Sequence, residues 1–295
     1  MIGLDIGGTS IKGASFENFR LKKRHSLPTA SASFKQTIQN IFDVIDELSS
    51  TPESIGISIA GRTDRKGVIE FNPNIPSLVG KNLKKIVQDR YQVNVSIEND
   101  ALCFAYAEWK LGAAKGTKTM VGLIIGTGIG SGIIIDGAPL KGAGCAGELG
   151  HMIIDPSGIE CGCGNVGDFE SWCSGKNIVR HYINAGGKMP DPDPRKIYFS
   201  RDLAAVNIRR QTIEKFGIGL ANIQRIFDPE VIVLGGGVSN LPFYAELEKA
   251  ANSHLAKKIK LKKKKLEAPG ELGAALYAQS SSSGSYSSSV FKARL

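Results

Sequence analysis

The sequence predicts an α/β protein built from two duplicated domains, and three observations carry that prediction. The first is an internal echo. Residues 1–13 (MIGLDIGGTSIKG) can be laid over residues 120–132 (MVGLIIGTGIGSG), with Met, Gly, Leu, Ile, Gly and Gly in matching places. The second is an alternation of short apolar runs with segments of helical period. The third is the placement of the 35 glycines, which gather in a few loops at the ends of those runs instead of spreading evenly.

Along the chain, each copy of the echo reads as an apolar strand, a glycine-rich turn and a second apolar strand. Phe34, Ile38, Ile41, Phe42, Ile45 and Leu48 then recur at helical spacing. Residues 54–61 (SIGISIAG) read as a buried strand, 83–91 as an amphipathic helix, and 93–97 as a strand ending in Glu98-Asn99-Asp100. A helix follows over 101–111. After the second echo comes an irregular stretch rich in glycine and cysteine over 142–175, then a long helix over 202–227. A buried strand over 230–234 runs into Gly235, Gly236 and Gly237 ahead of a further helix. The expected division is a smaller domain over 1–112, completed by a C-terminal helix at about 269–279, and a larger one over 113–268. Residues 280–295 read as a low-complexity Ser/Gly tail with no assigned function.

Composition narrows the function classes. Of 295 residues, 42% are hydrophobic and 22% charged, ordinary values for a globular chain. No apolar run approaches the ~18 residues that span a bilayer, so no membrane role is expected. The structural pattern starts at Ile2, so no targeting leader is expected before it. Five cysteines are too few for a disulfide framework and point to a reducing cytoplasm. The net charge of +9 is concentrated in seven lysines between Lys257 and Lys265. Without interleaved aromatics, such a run reads as a solvated helix end or loop, and no nucleic-acid partner is expected. There is no GxxxxGK[ST] loop. The one GxGxxG, at Gly142, Gly144 and Gly147, follows a turn instead of a strand, which argues against a dinucleotide fold.

The chemistry-bearing residues sit at the strand ends. Gly7 and Gly8 permit a turn whose N–H groups face an anion, Thr9 adds a hydroxyl, and Asp5 beside them is a candidate to hold hydrated Mg²⁺. The alternative is a plain capped hairpin. The second loop, Gly126-Thr127-Gly128 onward, carries more glycine than a hairpin needs, so a ligand is expected close to its backbone. Two such loops in matching places suggest one polyphosphate clasped in a cleft between two domains. Gly235, Gly236 and Gly237 suit a base and ribose. Asp100 can accept a proton from a substrate hydroxyl while Asn99 holds a neighbouring one, or it can simply cap the next helix. His151 with Cys161 and Cys163 suggests a structural zinc, against the alternative of free thiols and a core histidine.

Together these motifs resemble the ROK family (repressors, open reading frames and kinases) of the actin/hexokinase/Hsp70 superfamily. The likeness runs over about residues 1–278, through LDIGGTSIKG, ENDA, GTGIGSG, AGELGH, CGCGNVGDFE and DPEVIVLGGGVS. It implies two actin-like ATPase (ribonuclease H-like) domains and an ATP-dependent kinase acting on a sugar 6-hydroxyl. Asp100 would be the general base. Asn74, Asn99, Glu148, His151 and Glu170 match sugar-holding positions, while Gly7, Gly8, Thr9, Lys12, Gly126, Thr127 and Gly128 would line the phosphates. Glucose is the first expected substrate. The alternatives are N-acetylmannosamine, N-acetylglucosamine, fructose, or a silent or regulatory sugar-binding protein. A family repressor would carry a DNA-binding domain ahead of the phosphate loop, and with that loop starting at Asp5 a repressor is not the expected reading. A homodimer or higher homo-oligomer is also implied. Two departures stand out. Ala60 replaces a common proline, and Asp168 replaces the third cysteine of the family's zinc motif. The expected zinc ligands are therefore His151, Cys161, Cys163 and Asp168, with Cys173 as a rival.

Overall fold

The computed structural model describes residues 1–64 and 66–282. They form two compact units, one of Met1–Ala107 with the C-terminal segment from Glu267, the other of Glu108–Leu266.

In unit 1, β1 (Ile2–Ile6) and β2 (Ser10–Glu17) form the first echo hairpin, and β3 (Arg20–Pro28) extends it. Helix α1 (Phe34–Leu48) is capped by Ser33, which accepts from the Gln36 N–H, and it buries Ile38, Ile41, Val44, Ile45 and Leu48. Then come β4 (Ser54–Ile59), the short pair β5 (Arg62–Thr63) and β6 (Ile69–Phe71), helix α2 (Leu83–Tyr91), β7 (Asn94–Asn99) and α3 (Asp100–Lys110). The sheet order is β3-β2-β1-β4-β7, antiparallel across the first three strands and parallel across the rest.

Unit 2 repeats this plan. β8 (Met120–Ile125) and β9 (Ile129–Ile135) form the second echo hairpin, followed by β10 (Ala138–Pro139). Four helices come next: α4 (Phe169–Cys173), α5 (Gly175–Asn184), α6 (Pro194–Phe199) and α7 (Leu203–Phe227). β11 (Val231–Gly235), α8 (Tyr244–Asn252) and β12 (Leu261–Lys263) complete the unit. Its sheet order is β10-β9-β8-β11-β12, the counterpart of the first, so the echo marks a duplicated sheet. Helix α9 (Pro269–Ser282) returns to unit 1. It lies so close on β1 and β4 that side chains at Gly3 and Gly56 would collide with its backbone.

The carboxylate of Glu108 is fully buried in unit 2, at the point where the chain enters and leaves it. It accepts from the N–H groups of Ala113 (2.7 Å), Lys265 (3.0 Å) and Leu266 (2.9 Å).

Several expectations are corrected. The strand read over 93–97 extends to Asn99, and Gly237 leads into a 3-10 turn, Val238–Asn240, before α8. The stretch 142–175 contains a 3-10 turn at Leu149–His151 and all of α4. Part of the lysine run forms β12, an edge strand, where charge discourages pairing with other chains. Helix α9 continues to Ser282, into the segment read as tail. Positions 283–295 lie outside the described residues. No helix among the described residues is long and apolar enough to cross a membrane.

Candidate active site

In unit 1 the turn Gly7-Gly8-Thr9 is braced by the residue that follows β3. Thr29 donates its hydroxyl to the Gly7 carbonyl (2.7 Å) and its N–H to the Thr9 carbonyl (3.0 Å). A Cβ on Gly8 would stand 2.8 Å from that of Asn74, so glycine is needed there because a neighbouring side chain fills the space. Asn74 is exposed. Its backbone is fixed by buried Asn72, whose Oδ1 accepts from the N–H groups of Asn74 (3.0 Å) and Ile75 (2.8 Å).

Asp5 lies in β1 opposite exposed Lys12 and accepts from the Ser58 hydroxyl (3.0 Å). Burial, then the nearby Glu271 and Asp100 carboxylates, push the Asp5 carboxyl up to about 6, while Ser58 and Lys12 pull the other way. Arg24 pairs with Glu271 (3.0 Å) and Lys12 faces Asp5, but three carboxylates against two cations still leave the cluster acidic enough to fit a cation.

β7 passes into α3 without a connecting loop. Asn99 performs the capping, its Oδ1 accepting from Ala101 N–H (3.0 Å) and Leu102 N–H (3.2 Å) and its Nδ2 donating to the Gly61 carbonyl (3.1 Å). Asp100 is the first residue of α3, with Oδ1 accepting from Ala101 N–H (2.8 Å). The capping that the sequence left open for Asp100 therefore falls largely to Asn99.

In unit 2 the corresponding turn is braced by helices. Gly175 N–H, at the start of α5, donates to the Gly126 carbonyl (2.7 Å), and Gly126 N–H to the Gly128 carbonyl (2.9 Å). Glu170 of α4 accepts from Ile129 N–H (2.7 Å). Beside the turn lies a cavity of about 840 Å³, lined among others by Gly126, Thr127, Lys176, Arg195, Phe199 and Gly237. That volume is within the ~300–1,000 Å³ of small-molecule sites. Of Gly235, Gly236 and Gly237, only Gly237 lines it. Gly235 ends the strand, and Gly236 (φ +84°) abuts the Ile125 carbonyl, leaving no room for a side chain. Lys176, Arg195 and Phe199 carry no motif and escaped the sequence reading.

Glu148 is exposed just ahead of His151. His151, Cys161, Cys163 and Asp168 form the group of potential metal ligands found among the described residues, with all donor atoms within 4.8 Å of one another. His151 Nδ1 lies 2.9 Å from Asp168 Oδ2, Cys163 Sγ lies 3.4 Å from that same oxygen, and Cys161 Sγ lies 3.8 Å from His151 Nδ1. Asp168 uses Oδ1 to cap α4 through Ser171 N–H (2.7 Å), which leaves Oδ2 for the group. Burial opposes the Asp168 carboxylate, but hydrogen bonds from Cys161, His151, Ser171 and Cys163 hold it below its ordinary range. Burial first, then Asp168, pushes the Cys161 thiol up. Cys173 sits buried in α4 against the Thr212 carbonyl, outside this group.

The family profile that matches the chain is that of the ROK family, over residues 1–280. An N-acetyl-D-glucosamine kinase of Histophilus somni is 33% identical over 278 residues, covering 88% of this chain and 91% of its own length. The crystal structure of a ROK hexokinase from Thermus thermophilus superposes with a TM-score of 0.86 at 33% identity, covering 96% of this chain and 99% of that one. A ROK glucokinase from Streptomyces griseus, solved with glucose and AMPPNP, gives 0.81 at 28% identity, covering 95% and 99%. The chain belongs to the ROK family, and it is a sugar phosphotransferase on that family's actin-like ATPase fold.

Proposed function

We propose that this chain transfers the γ-phosphoryl group of ATP to the 6-hydroxyl of N-acetyl-D-glucosamine. The observation that carries the phosphotransfer reading is the division of equipment. Unit 1 presents a carboxylate, Asp100, at a strand-to-helix junction, and unit 2 holds a glycine-walled cavity of nucleotide size. In this reading Asp100 takes the hydroxyl proton as the oxygen attacks, and the glycine turns hold phosphate oxygens through backbone N–H groups. Lys176 and Arg195 would meet the phosphate charge, and Phe199 the base. When bound, Mg²⁺ screens the phosphates, and Asp5 is the carboxylate that would hold it. Asn74, Asn99, Glu148, His151 and Glu170 would hold sugar hydroxyls; His151 has Nε2 for this, since Nδ1 faces Asp168.

The choice of sugar departs from the glucose expected at first. It is supported by relatives named N-acetyl-D-glucosamine kinase, including the Histophilus somni protein and one from Aliivibrio fischeri at 32% identity. The Streptomyces griseus glucokinase favours glucose as the second reading. ADP release with Mg-ATP over a panel of hexoses and amino sugars separates them. The highest kcat/KM should belong to N-acetyl-D-glucosamine. A higher value for glucose overturns the sugar assignment, and no turnover with any sugar overturns the kinase reading.

A zinc ion held by His151, Cys161, Cys163 and Asp168 belongs to the same reading. Zinc–ligand distances of ~2.0–2.3 Å in a tetrahedron put donors ~3.3–3.8 Å apart; the separations of 2.9, 3.4 and 3.8 Å lie within about half an ångström of that range, and no pair of donors exceeds 4.8 Å. Its role would be to fix the loop that carries His151 and Glu170. Metal analysis of the purified protein should find about one zinc per chain, and Asp168→Cys should bind it more tightly, because thiolate suits zinc better than carboxylate. Zinc-free protein of unchanged activity counts against the site. Self-association and a reducing cytoplasm complete the proposal. The self-association is checked by light scattering, and no disulfide is formed among the described residues.

A further inference from the structure

In unit 2 one side chain does two jobs at once. Glu170 Oε2 accepts from Ile129 N–H at 2.7 Å, and a Cβ on neighbouring Gly128 would stand 2.5 Å from that same oxygen. The carboxylate therefore lies on the backbone of the β8–β9 turn, hydrogen-bonded on one side of Gly128 and in contact with Gly128 itself. Its other oxygen, Oε1, lies 3.8 Å from Cys161 Sγ, in the group of potential metal ligands. The backbone oxygen of Glu170 accepts from Asn177 Nδ2 (3.0 Å), which ties α4 to the α5 helix whose first N–H holds Gly126. The turn is thus gripped at Gly126 by α5 and at Ile129 by Glu170, and Gly126 and Thr127 of the same turn line the cavity.

We propose that Glu170 is a positioning residue for the nucleotide: it sets the β8–β9 turn in its phosphate-binding shape whether or not sugar is present. Gly128 is glycine for the same reason, since any side chain would push the carboxylate off the Ile129 N–H. A carboxylate that accepts one backbone N–H still has lone pairs for a hydroxyl. A sugar held by Glu170 is then sensed directly by the turn that holds the phosphates, and sugar and nucleotide tighten one another's binding.

This rests on the reading that unit 2 takes ATP, and the test separates the two. The full chain is titrated with Mg-AMPPNP by calorimetry, without sugar and then with saturating N-acetyl-D-glucosamine. In the unmutated protein, sugar should tighten AMPPNP several-fold. Glu170→Ala should weaken AMPPNP about tenfold or more without any sugar present, as expected when a charged acceptor of a backbone N–H is lost, and sugar should no longer help. Gly128→Ala should do the same by displacing the unmutated Glu170 carboxylate from the Ile129 N–H. Glu170→Gln keeps an acceptor oxygen of the same reach, and should restore sugar-free AMPPNP binding to within about threefold, though its sugar KM rises. If Glu170→Ala fails to fold, Gly128→Ala decides alone. Undiminished sugar-free AMPPNP binding in the folded alanine variants sinks the clamp and leaves the kinase reading intact. Absence of AMPPNP binding in the unmutated protein sinks the nucleotide assignment itself.

Discussion

The two echo turns share a sequence pattern and a place in their sheets, yet each is set in different surroundings. The β1–β2 turn is held by Thr29, a neutral side chain at the end of a strand, and its neighbourhood is acidic: burial, Glu271 and Asp100 raise the cost of ionising Asp5. The β8–β9 turn is held by helices and by Glu170, and the cavity beside it carries Lys176 and Arg195 against one carboxylate, Asp193. A carboxylate field suits a cation and a departing proton, and a cationic rim suits a polyphosphate. The difference teaches that one backbone turn, supplied twice by duplication, takes its local charge from what braces and surrounds it, acidic at the first turn and more cationic at the second.

The largest expected effect is on the chemical step. Asp100→Asn keeps the shape and the contact to Ala101 N–H but cannot take a proton, so kcat should fall ~10²–10⁴-fold. Sugar binding should survive. A rate within tenfold of the original would reduce Asp100 to a helix-terminus residue.

Next come the turns themselves. At Gly126 no atom lies within 4 Å of where a Cβ would go, so the fold itself tolerates a side chain there. Gly126→Val should raise the ATP KM tenfold or more, by roughly 1.4 kcal/mol or more of lost binding, with the melting temperature unchanged. Gly8→Ala instead presses on Asn74 and should raise the sugar KM more than the ATP KM. If both variants affect the same substrate, the contrast between the turns is wrong.

A smaller effect concerns stability and pH. Asp5 titrates near 6 in the fold against 3.8 for an ordinary aspartate, so its ionisation works against folding. The sign follows from linkage: the fold keeps its full stability below the unfolded value and loses it as pH rises through about 6. Asp5→Asn should therefore stabilise the metal-free protein at pH 8 by on the order of 1–3 kcal/mol, with the gain shrinking towards pH 5, while activity is lost. Thermal unfolding of both proteins across that pH range checks it. A loss of stability at pH 8 would mean that the Asp5 charge is well compensated.

Much of the fold was legible because its signals are local. The hairpins, α1, α2 and α7 follow from glycine placement and apolar period, and the matched sheets follow from the echo. What stayed hidden depends on pairs far apart in sequence. Nothing around Asn72 signals that its amide fixes Asn74, since Asx turns occur wherever Asn precedes a bend. Lys176, Arg195 and Phe199 are ordinary residues until α5 and α6 bring them to the Gly126 turn. Gly128 looked like a phosphate glycine, and its closest neighbour turned out to be Glu170, 42 residues on. Gly235 pairs within the sheet and Gly236 sits in a tight turn, structural demands for glycine that a local pattern does not separate from ligand contact.

The most direct test follows phosphorus. Mg-ATP and N-acetyl-D-glucosamine are incubated with the unmutated protein and with Asp100→Asn, ³¹P NMR identifies the products, and calorimetry measures sugar binding to each. The account predicts sugar 6-phosphate in equal amount to ADP from the first protein. From the second it predicts neither product, although the sugar still binds. ADP without sugar phosphate, or sugar phosphate formed at a similar rate by Asp100→Asn, would contradict it.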